Sequence, residues 1–287
     1  MSRQHYYYFM ESLRPLLTTY AYNILGSLDE AKDVVQDAFL KFMEIDSSII
    51  ENKRAYLIRT VINLSINQKK RQRKIVAEYP GQWLPEPVAT DYADTNINRK
   101  EILSYSLMVL LEKLNPRQRA VFILKEGFNY DHEEIAGVLD ITVENSRKLL
   151  SRSKALLQQA QPGKEGTVSL DYLNKYMRVI HAGDMQGLER LLTDEITVVS
   201  DGGGKVAAFM KPVKGRESVV ALLMGVTKKF YQDIRLEQKW INHQPALFYY
   251  DKDKLVNCQV FSITNGHIDK IYFMRNPDKL KALENIS

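Results

Sequence analysis

The sequence predicts a multidomain fold, with two all-α domains followed by one α+β domain. Apolar residues recur at helical spacing through the first half of the chain, whereas β-branched and aromatic runs begin after Leu188. The length of 287 residues suits two or three domains better than one large core. We place the domains at 1–75, 99–160 and 168–287, with linkers at 76–98 and 161–167.

Composition narrows the classes of function. Hydrophobic residues make up 45% of the chain, but no apolar run approaches the roughly 20 residues that span a membrane. The first residues lack the apolar stretch of a signal peptide, so we expect a cytoplasmic protein without membrane contact. The single cysteine, Cys258, excludes an internal disulfide and any multi-cysteine metal site. We expect no metal and no cofactor.

The first domain contains an amphipathic helix and a basic stretch. Apolar residues between Asp29 and Met43 fall on one helical face, and Ser27 with Glu30 has the spacing of a capping box. Residues 53–74 contain eight Lys or Arg and no Asp or Glu, while the whole chain carries a net charge of only +5. A solvated face would mix signs, so this stretch favours contact with phosphate groups.

The first linker contains more apolar and aromatic side chains than a flexible spacer needs. Three prolines and Gly81 prevent a continuous helix between Glu78 and Asn98. The same segment contains a tryptophan within the motif WLPEP, and an exposed tryptophan would be unfavourable in a free linker. We therefore expect docking on a neighbouring surface through Trp83, Leu84, Pro85, Glu86 and Pro87.

Residues 131–158 have the pattern of a helix-turn-helix. An apolar stripe runs along residues 135–139, a break follows, and Thr142 can cap a second helix. The outward side chains of that helix are donors suited to phosphate oxygens and base edges. They are Asn145, Arg147, Lys148, Ser151 and Arg152. The alternative is an ordinary helical hairpin with a solvated basic face.

The C-terminal domain is predicted to be a cone of helices and strands that often encloses a pocket. A helical hairpin over 170–192 precedes strand-like runs, and Asn265-Gly266 is a strong hairpin signal. The candidates for an acid–base centre are Asp201, His243 and His267. None has a partner at a spacing that requires catalysis, so we favour a non-catalytic domain with no catalytic residue.

Together these motifs resemble bacterial sigma factors of the extracytoplasmic-function (ECF) type. Ser27–Met43 resembles the helix that grips the clamp helices of RNA polymerase, and Lys53–Lys74 resembles the segment that reads and opens the minus-ten element. Leu111–Lys154, with LNPRQRAVF, EEIA and SRKLLSR in order, resembles the domain that reads the minus-thirty-five element. Asn67 and Ser146 depart from the family pattern, which bears on promoter sequence.

The resemblance implies binding roles rather than covalent chemistry. Polymerase contact is assigned to Asp33, Gln36, Asp37 and Lys41, whose alternative is a plain solvated face. The minus-ten segment is assigned Tyr56, Arg59, Asn63, Lys69, Lys70, Arg71 and Arg73. For Tyr56 and Asn63, the alternative to DNA contact is a place in the hydrophobic core.

Three short motifs narrow the resemblance to the ECF subgroup with a fused SnoaL-like, NTF2-like domain. They are WLPEP, SDGGGK at residues 200–205, and NPDKL. In that subgroup the fused domain is taken to regulate sigma activity in cis. We expect it to contact the WLPEP linker and both sigma domains. The residues assigned to this contact are those of WLPEP with Asp201, Gly202, Gly203, Gly204, Asn276, Pro277, Asp278, Lys279 and Leu280. For NPDKL, a simple surface cap is the alternative.

Core RNA polymerase and promoter DNA are therefore the expected partners of a monomeric chain, and the C-terminal pocket leaves room for an unidentified small ligand. Two other classes of function remain open. A DNA-binding module fused to an isomerase or hydrolase would turn over a small molecule. A dimeric repressor would bind duplex operators tightly without polymerase.

Overall fold

A computed structural model describes residues 3–45, 50–91, 97–158, 170–231 and 233–284. The chain divides into two compact units, which do not follow chain order. The first unit comprises residues 1–77, 93–103 and 107–161, and the second comprises 78–92, 104–106 and 162–287. Most of the first predicted linker thus belongs to the second unit. The second predicted linker, 161–167, lies outside the described residues.

The first unit begins with a bundle of α1 (Arg3–Leu25), α2 (Leu28–Glu44) and α3 (Lys53–Ala77). Ser27 caps α2, because its Oγ accepts a hydrogen bond from the Glu30 amide at 3.3 Å. The predicted apolar stripe of α2 is buried from Ala31 to Phe42. Met43 is the exception, since this last stripe residue is 64% exposed.

The rest of the first unit is built from short helices. They are α4 (Tyr105–Leu111), whose first two residues belong to the second unit, α5 (Pro116–Phe122), one π-helical turn (Ile123–Gly127), α6 (His132–Leu139) and α7 (Val143–Gln158), after a 3₁₀ turn at Arg99–Glu101. Asp140 adopts a left-handed conformation that ends α6, and Thr142 Oγ1 accepts from the Asn145 amide at the start of α7. The predicted helix-turn-helix is confirmed.

The second unit is an α+β domain. Its elements are α8 (Leu170–His181), α9 (Met185–Glu189), β1 (Leu192–Asp201), β2 (Val213–Lys214), α10 (Arg216–Phe230), β3 (Arg235–Ile241), β4 (Gln244–Asp251), β5 (Lys254–Thr264), β6 (His267–Met274) and α11 (Pro277–Glu284). The sheet order is β2-β1-β6-β5-β4-β3. All neighbours are antiparallel except β1 and β6, which are parallel. The Asn265-Gly266 turn, with both φ angles positive, confirms the predicted hairpin.

Helices α8, α9 and α10 cover one face of this sheet. The core there is continuous and includes Tyr176, Val220, Phe261 and Phe273. Because side chains alternate along a strand, Tyr272 faces the opposite side, where its ring lies 5.4 Å from that of Tyr105. The sheet therefore has a helix-covered face and a second face that also holds aromatic contacts.

Candidate nucleic-acid and linker-binding sites

The basic stretch lies on α3, and most of its charge is accessible. Arg54, Arg59, Lys70, Arg71, Arg73 and Lys74 are exposed. The long helix arises because residues 53–77 lack Gly and Pro, while its apolar side chains, Leu57, Val61 and Ile62 among them, pack inward. A positively charged helix face of this kind can attract a phosphate backbone.

Lys69 departs from the expectation that it faces DNA. Its side chain is buried, and Nζ donates to the Leu25 carbonyl at 2.7 Å and to Glu112 at 2.9 Å. The amine is therefore withheld from solvent in this structure. Sequence reasoning missed this because a lysine within a basic run gives no local sign of burial.

Tyr56 and Asn63 are half-buried, which is intermediate between the DNA contact and the core role considered for them. The Tyr56 ring lies 6.0 Å from that of Phe42, and Asn63 donates to the Val138 carbonyl of α6 at 3.0 Å. A groove of about 580 Å³ is lined by Tyr56, Arg54, Arg59 and Tyr130, among others. Arginine and tyrosine side chains around such a groove can contact phosphate and stack on a base.

The second helix of the helix-turn-helix presents its assigned residues together. Asn145, Arg147, Lys148, Ser151 and Arg152 are all exposed on α7. Lys148 forms an exposed ion pair with Glu144, which DNA can displace at little cost. Ser146 is instead buried and hydrogen-bonded to His132 Nδ1 at 2.9 Å. Its departure from the family pattern therefore concerns packing of α6 on α7.

The polar residues assigned to polymerase contact form one exposed face of α2. Asp33, Gln36, Asp37 and Lys41 are all exposed. Leu40 and Met43, 48% and 64% exposed, lie within the same surface, and sequence reasoning did not single them out for it. Exposed apolar side chains among charges are typical of a surface that binds protein.

The WLPEP segment docks on the C-terminal domain, as predicted. The side chain of Asp201, at the end of β1, is fully buried and accepts from Tyr79 Oη at 2.6 Å, the Leu84 amide at 2.9 Å and the Gly203 amide at 2.9 Å. Burial and the bond to Asp201 raise the pKa of Tyr79, so this hydroxyl remains a donor. One carboxylate thus holds both ends of residues 79–84.

Lys279 supplies the opposite charge. Its Nζ donates to Asp201 at 2.7 Å and to the Leu84 carbonyl at 2.5 Å, and it lies 4.2 Å from the centre of the Trp83 ring. Asn276 donates to Tyr79 Oη at 2.9 Å. The motifs containing Trp83, Asp201 and Lys279 therefore converge on one site, which we call the linker socket.

The glycines of the DGGG motif permit this close approach. Gly203 and Gly204 have φ of +66° and +69°, a region that residues with side chains rarely adopt. A Cβ on Gly203 would lie 2.5 Å from Asn276 Cγ, and one on Gly204 would lie 2.5 Å from Pro80 Cγ. Gly202 is equally restricted, because its Cβ would lie 2.3 Å from the Val206 carbonyl oxygen.

A second set of contacts holds the end of the linker. The Asn242 amide donates to the Val88 carbonyl and the Thr90 amide to the Trp240 carbonyl, which adds residues 88–90 to the edge at β3. Tyr105 Oη donates to the Pro85 carbonyl at 2.7 Å. Sequence reasoning missed Tyr79, Asn242 and Tyr105, because nothing local marks a residue whose partner lies far along the chain.

The three candidates for an acid–base centre do not meet. Asp201 is committed to the socket, His243 lies on the β3–β4 turn, and His267 lies at the Asn265-Gly266 hairpin with its ring on the Asn265 carbonyl. Beneath α8 and α10, a cavity of about 10 Å³ lies against Tyr176, Tyr231 and Tyr249. That volume is about one water molecule, so it offers no substrate site in this conformation.

Within the described residues, no His, Cys, Asp and Glu cluster has the arrangement of a metal site. In the same part of the chain, no helix is both long enough and apolar enough to cross a membrane.

The fold and the basic surfaces define a two-part helical transcription factor with an appended α+β domain. The sequence matches the families Sigma-70 region 2 over residues 9–75 and Sigma-70 region 4 over residues 104–157. It is 30% identical over 264 residues to the ECF RNA polymerase sigma factor SigJ of Mycobacterium tuberculosis, spanning 89% of this chain and 80% of that protein. The chain therefore belongs to the ECF sigma factor family.

Further comparisons agree with this assignment. The chain is 24% identical over 271 residues to SigG of the same organism, spanning 84% of this chain and 72% of that protein. The crystal structure of M. tuberculosis SigJ matches with a TM-score of 0.80 at 25% identity, covering 98% of this chain and all of SigJ. The expected order of two helical sigma regions followed by a C-terminal α+β domain is confirmed.

Proposed function

We propose that this ECF sigma factor directs core RNA polymerase to specific promoters and that its C-terminal domain controls this activity through the linker socket. The observation that carries the proposal is the commitment of Asp201 and Lys279 to the WLPEP segment. Along the chain this segment joins the two sigma regions. A linker that is bound cannot act as a free spacer, so occupancy of the socket limits the positions that the two regions can adopt.

The sigma regions divide the work of promoter binding. The exposed basic residues of α3, with Tyr56, face the minus-ten element and favour an unstacked base. Arg147, Lys148 and Arg152 on α7 contact phosphates of the minus-thirty-five element, with Asn145 near base edges. The exposed face of α2 contacts polymerase. Opening a base costs a few kcal/mol, so the free chain binds promoters weakly and polymerase makes the binding productive.

Run-off transcription with bacterial core polymerase and a promoter library tests the sigma activity. Transcripts that start only when this chain is added support the proposal. Tight operator binding without any transcript would overturn it in favour of a repressor.

The regulatory part is tested by Trp83→Ala and Asp201→Asn in the full-length chain. Asp194→Asn is the matched control, because Asp194 lies on the same strand but is 86% exposed in its ion pair with Arg216. We expect the first two variants to change promoter output and the control to leave it unchanged. Unchanged output from all three would show that linker docking is not regulatory.

A further inference from the structure

A buried charge cluster joins the promoter-facing helix α3 to the second sigma region. Glu112, just after α4, receives hydrogen bonds from Lys69 of α3 and from Arg119 of α5. Lys69 is 3% exposed and Arg119 is completely buried. Arg119 Nε also donates to the Asn23 carbonyl of α1 at 3.0 Å. The Glu112 carboxylate therefore links helices from both sigma regions, directly through Lys69 and indirectly through Arg119.

The same surface of α3 makes further contacts with the second sigma region. Asn63 donates to the Val138 carbonyl where α6 ends. Beside α3, Tyr20 Oη of α1 lies 3.0 Å from Tyr130 Oη. Three residues assigned to the minus-ten element are affected. Lys69 and Asn63 are occupied by these bonds, and Tyr56 lies in the groove beside α6.

We propose that the second sigma region and the promoter compete for the same face of α3, and that Glu112 is the latch that holds the closed state. The inference rests on the proposed promoter role of α3. In the closed state Lys69 and Asn63 are satisfied within the protein. When DNA engages α3, phosphate and base oxygens replace the Glu112 carboxylate and the Val138 carbonyl as acceptors.

The chemistry of the cluster suits a latch that can open. Two basic side chains share the Glu112 carboxylate, so the cluster is favourable only while its geometry holds. Burial and then the charge of Arg119 lower the pKa of Lys69 to about 7. Glu30 of α2 also faces Lys69 and favours its charged form. The closed state therefore carries a desolvation cost that exposure to water and DNA removes.

The test measures the distance between the two sigma regions in the full chain. Spin labels on Lys32→Cys and Ala155→Cys, two exposed helical positions outside the assigned sites, report this distance in a Cys258→Ala background. We expect Glu112→Gln to add a population at longer distance. The matched control, Glu126→Gln, makes the same charge change at an exposed ion pair with Lys154 and should leave the distribution unchanged.

Binding to a fluorescent oligo-dT strand gives the second readout. Glu112→Gln should bind roughly tenfold tighter than Glu126→Gln, the effect of losing about one hydrogen bond to a charged group in the closed state. Equal affinity and an unchanged distance distribution would overturn the latch.

If Glu112→Gln does not fold, Asn63→Ala serves for the distance measurement, since it removes the bond to α6 and otherwise only a local bond to the Arg59 carbonyl within α3. A distribution that stays closed in that variant would likewise overturn the proposal. Run-off transcription by the unaltered chain reports on the sigma activity independently, so failure of the latch and failure of the proposed function remain distinguishable.

Discussion

Gly204 and Pro80 are in direct contact, although they lie on opposite sides of the second sigma region in sequence. The space at Gly204 is filled by the Pro80 ring, and no side chain fits between them. The shape of the socket therefore depends on the absence of a Cβ atom at Gly204 as much as on the charges of Asp201 and Lys279.

Gly204→Ala should loosen the linker. Gly266→Ala is the control, because Gly266 has a similar φ of +76° but open space where a Cβ would stand. Both variants carry the same backbone strain of about 1 kcal/mol. Only Gly204→Ala should speed hydrogen exchange in residues 79–84. Equal exchange in the two variants would show that the Pro80 contact contributes nothing to docking.

Lys279→Met should break the charge pair at the centre of the socket. It leaves the buried Asp201 carboxylate without its cation, and we expect a loss of about 3 kcal/mol in unfolding free energy. Trp83 fluorescence should change in the same variant because the ammonium leaves its ring. Lys281→Met, at a side chain that is 73% exposed, is the control and should change neither quantity.

DNA binding by α7 should depend steeply on salt. If Arg147, Lys148 and Arg152 make about three phosphate contacts, the log–log slope of affinity against salt from this region is near −3. Arg152→Ala should reduce the slope by about 1 in anisotropy measurements on a duplex promoter. Lys228→Ala, an exposed lysine of the second unit, should leave the slope unchanged. An unchanged slope for Arg152→Ala would remove it from the DNA surface.

Lys69 should make the stability of the first unit depend on pH. Its pKa is about 7 in the folded chain, against about 10.4 when unfolded, so the unfolded chain binds more protons between these values. Stability should therefore rise with pH across this window and fall toward pH 7. Relative to Lys69→Met, urea unfolding should show a gain of about 2 kcal/mol between pH 7 and 9. A constant difference between the two proteins would contradict the burial of a titrating amine.

Met43→Ala should weaken polymerase binding. Truncating an exposed apolar side chain costs the free chain almost nothing, but it removes contact area in a complex. We expect a loss of affinity of about fivefold in titrations with core polymerase. Met185→Ala, 51% exposed in the second unit, is the control. Equal affinities of Met43→Ala and Met185→Ala for core polymerase would show that this end of α2 does not contact polymerase.

The extent of agreement between sequence and structure follows from the range of each interaction. Local patterns predicted α2, the helix-turn-helix and the Asn265-Gly266 hairpin, because spacing and turn residues act within a few positions. The WLPEP docking was also predicted, since an apolar linker needs a surface. Asp201 was likewise among the residues expected to contact the linker. The burial of Lys69 was not predicted, because its acceptors, the Leu25 carbonyl and Glu112, lie more than 40 residues away.

The linker is, in structural terms, part of the domain that holds it. Residues 78–92 belong with the C-terminal residues to the second unit. Without them, the buried Asp201 carboxylate would lose two of its donors, the Tyr79 hydroxyl and the Leu84 amide. A chimera that transplants only residues 170–284 onto another sigma factor would leave the linker socket without its linker. The exchangeable module is the discontinuous pair of segments, and grafts should move both together.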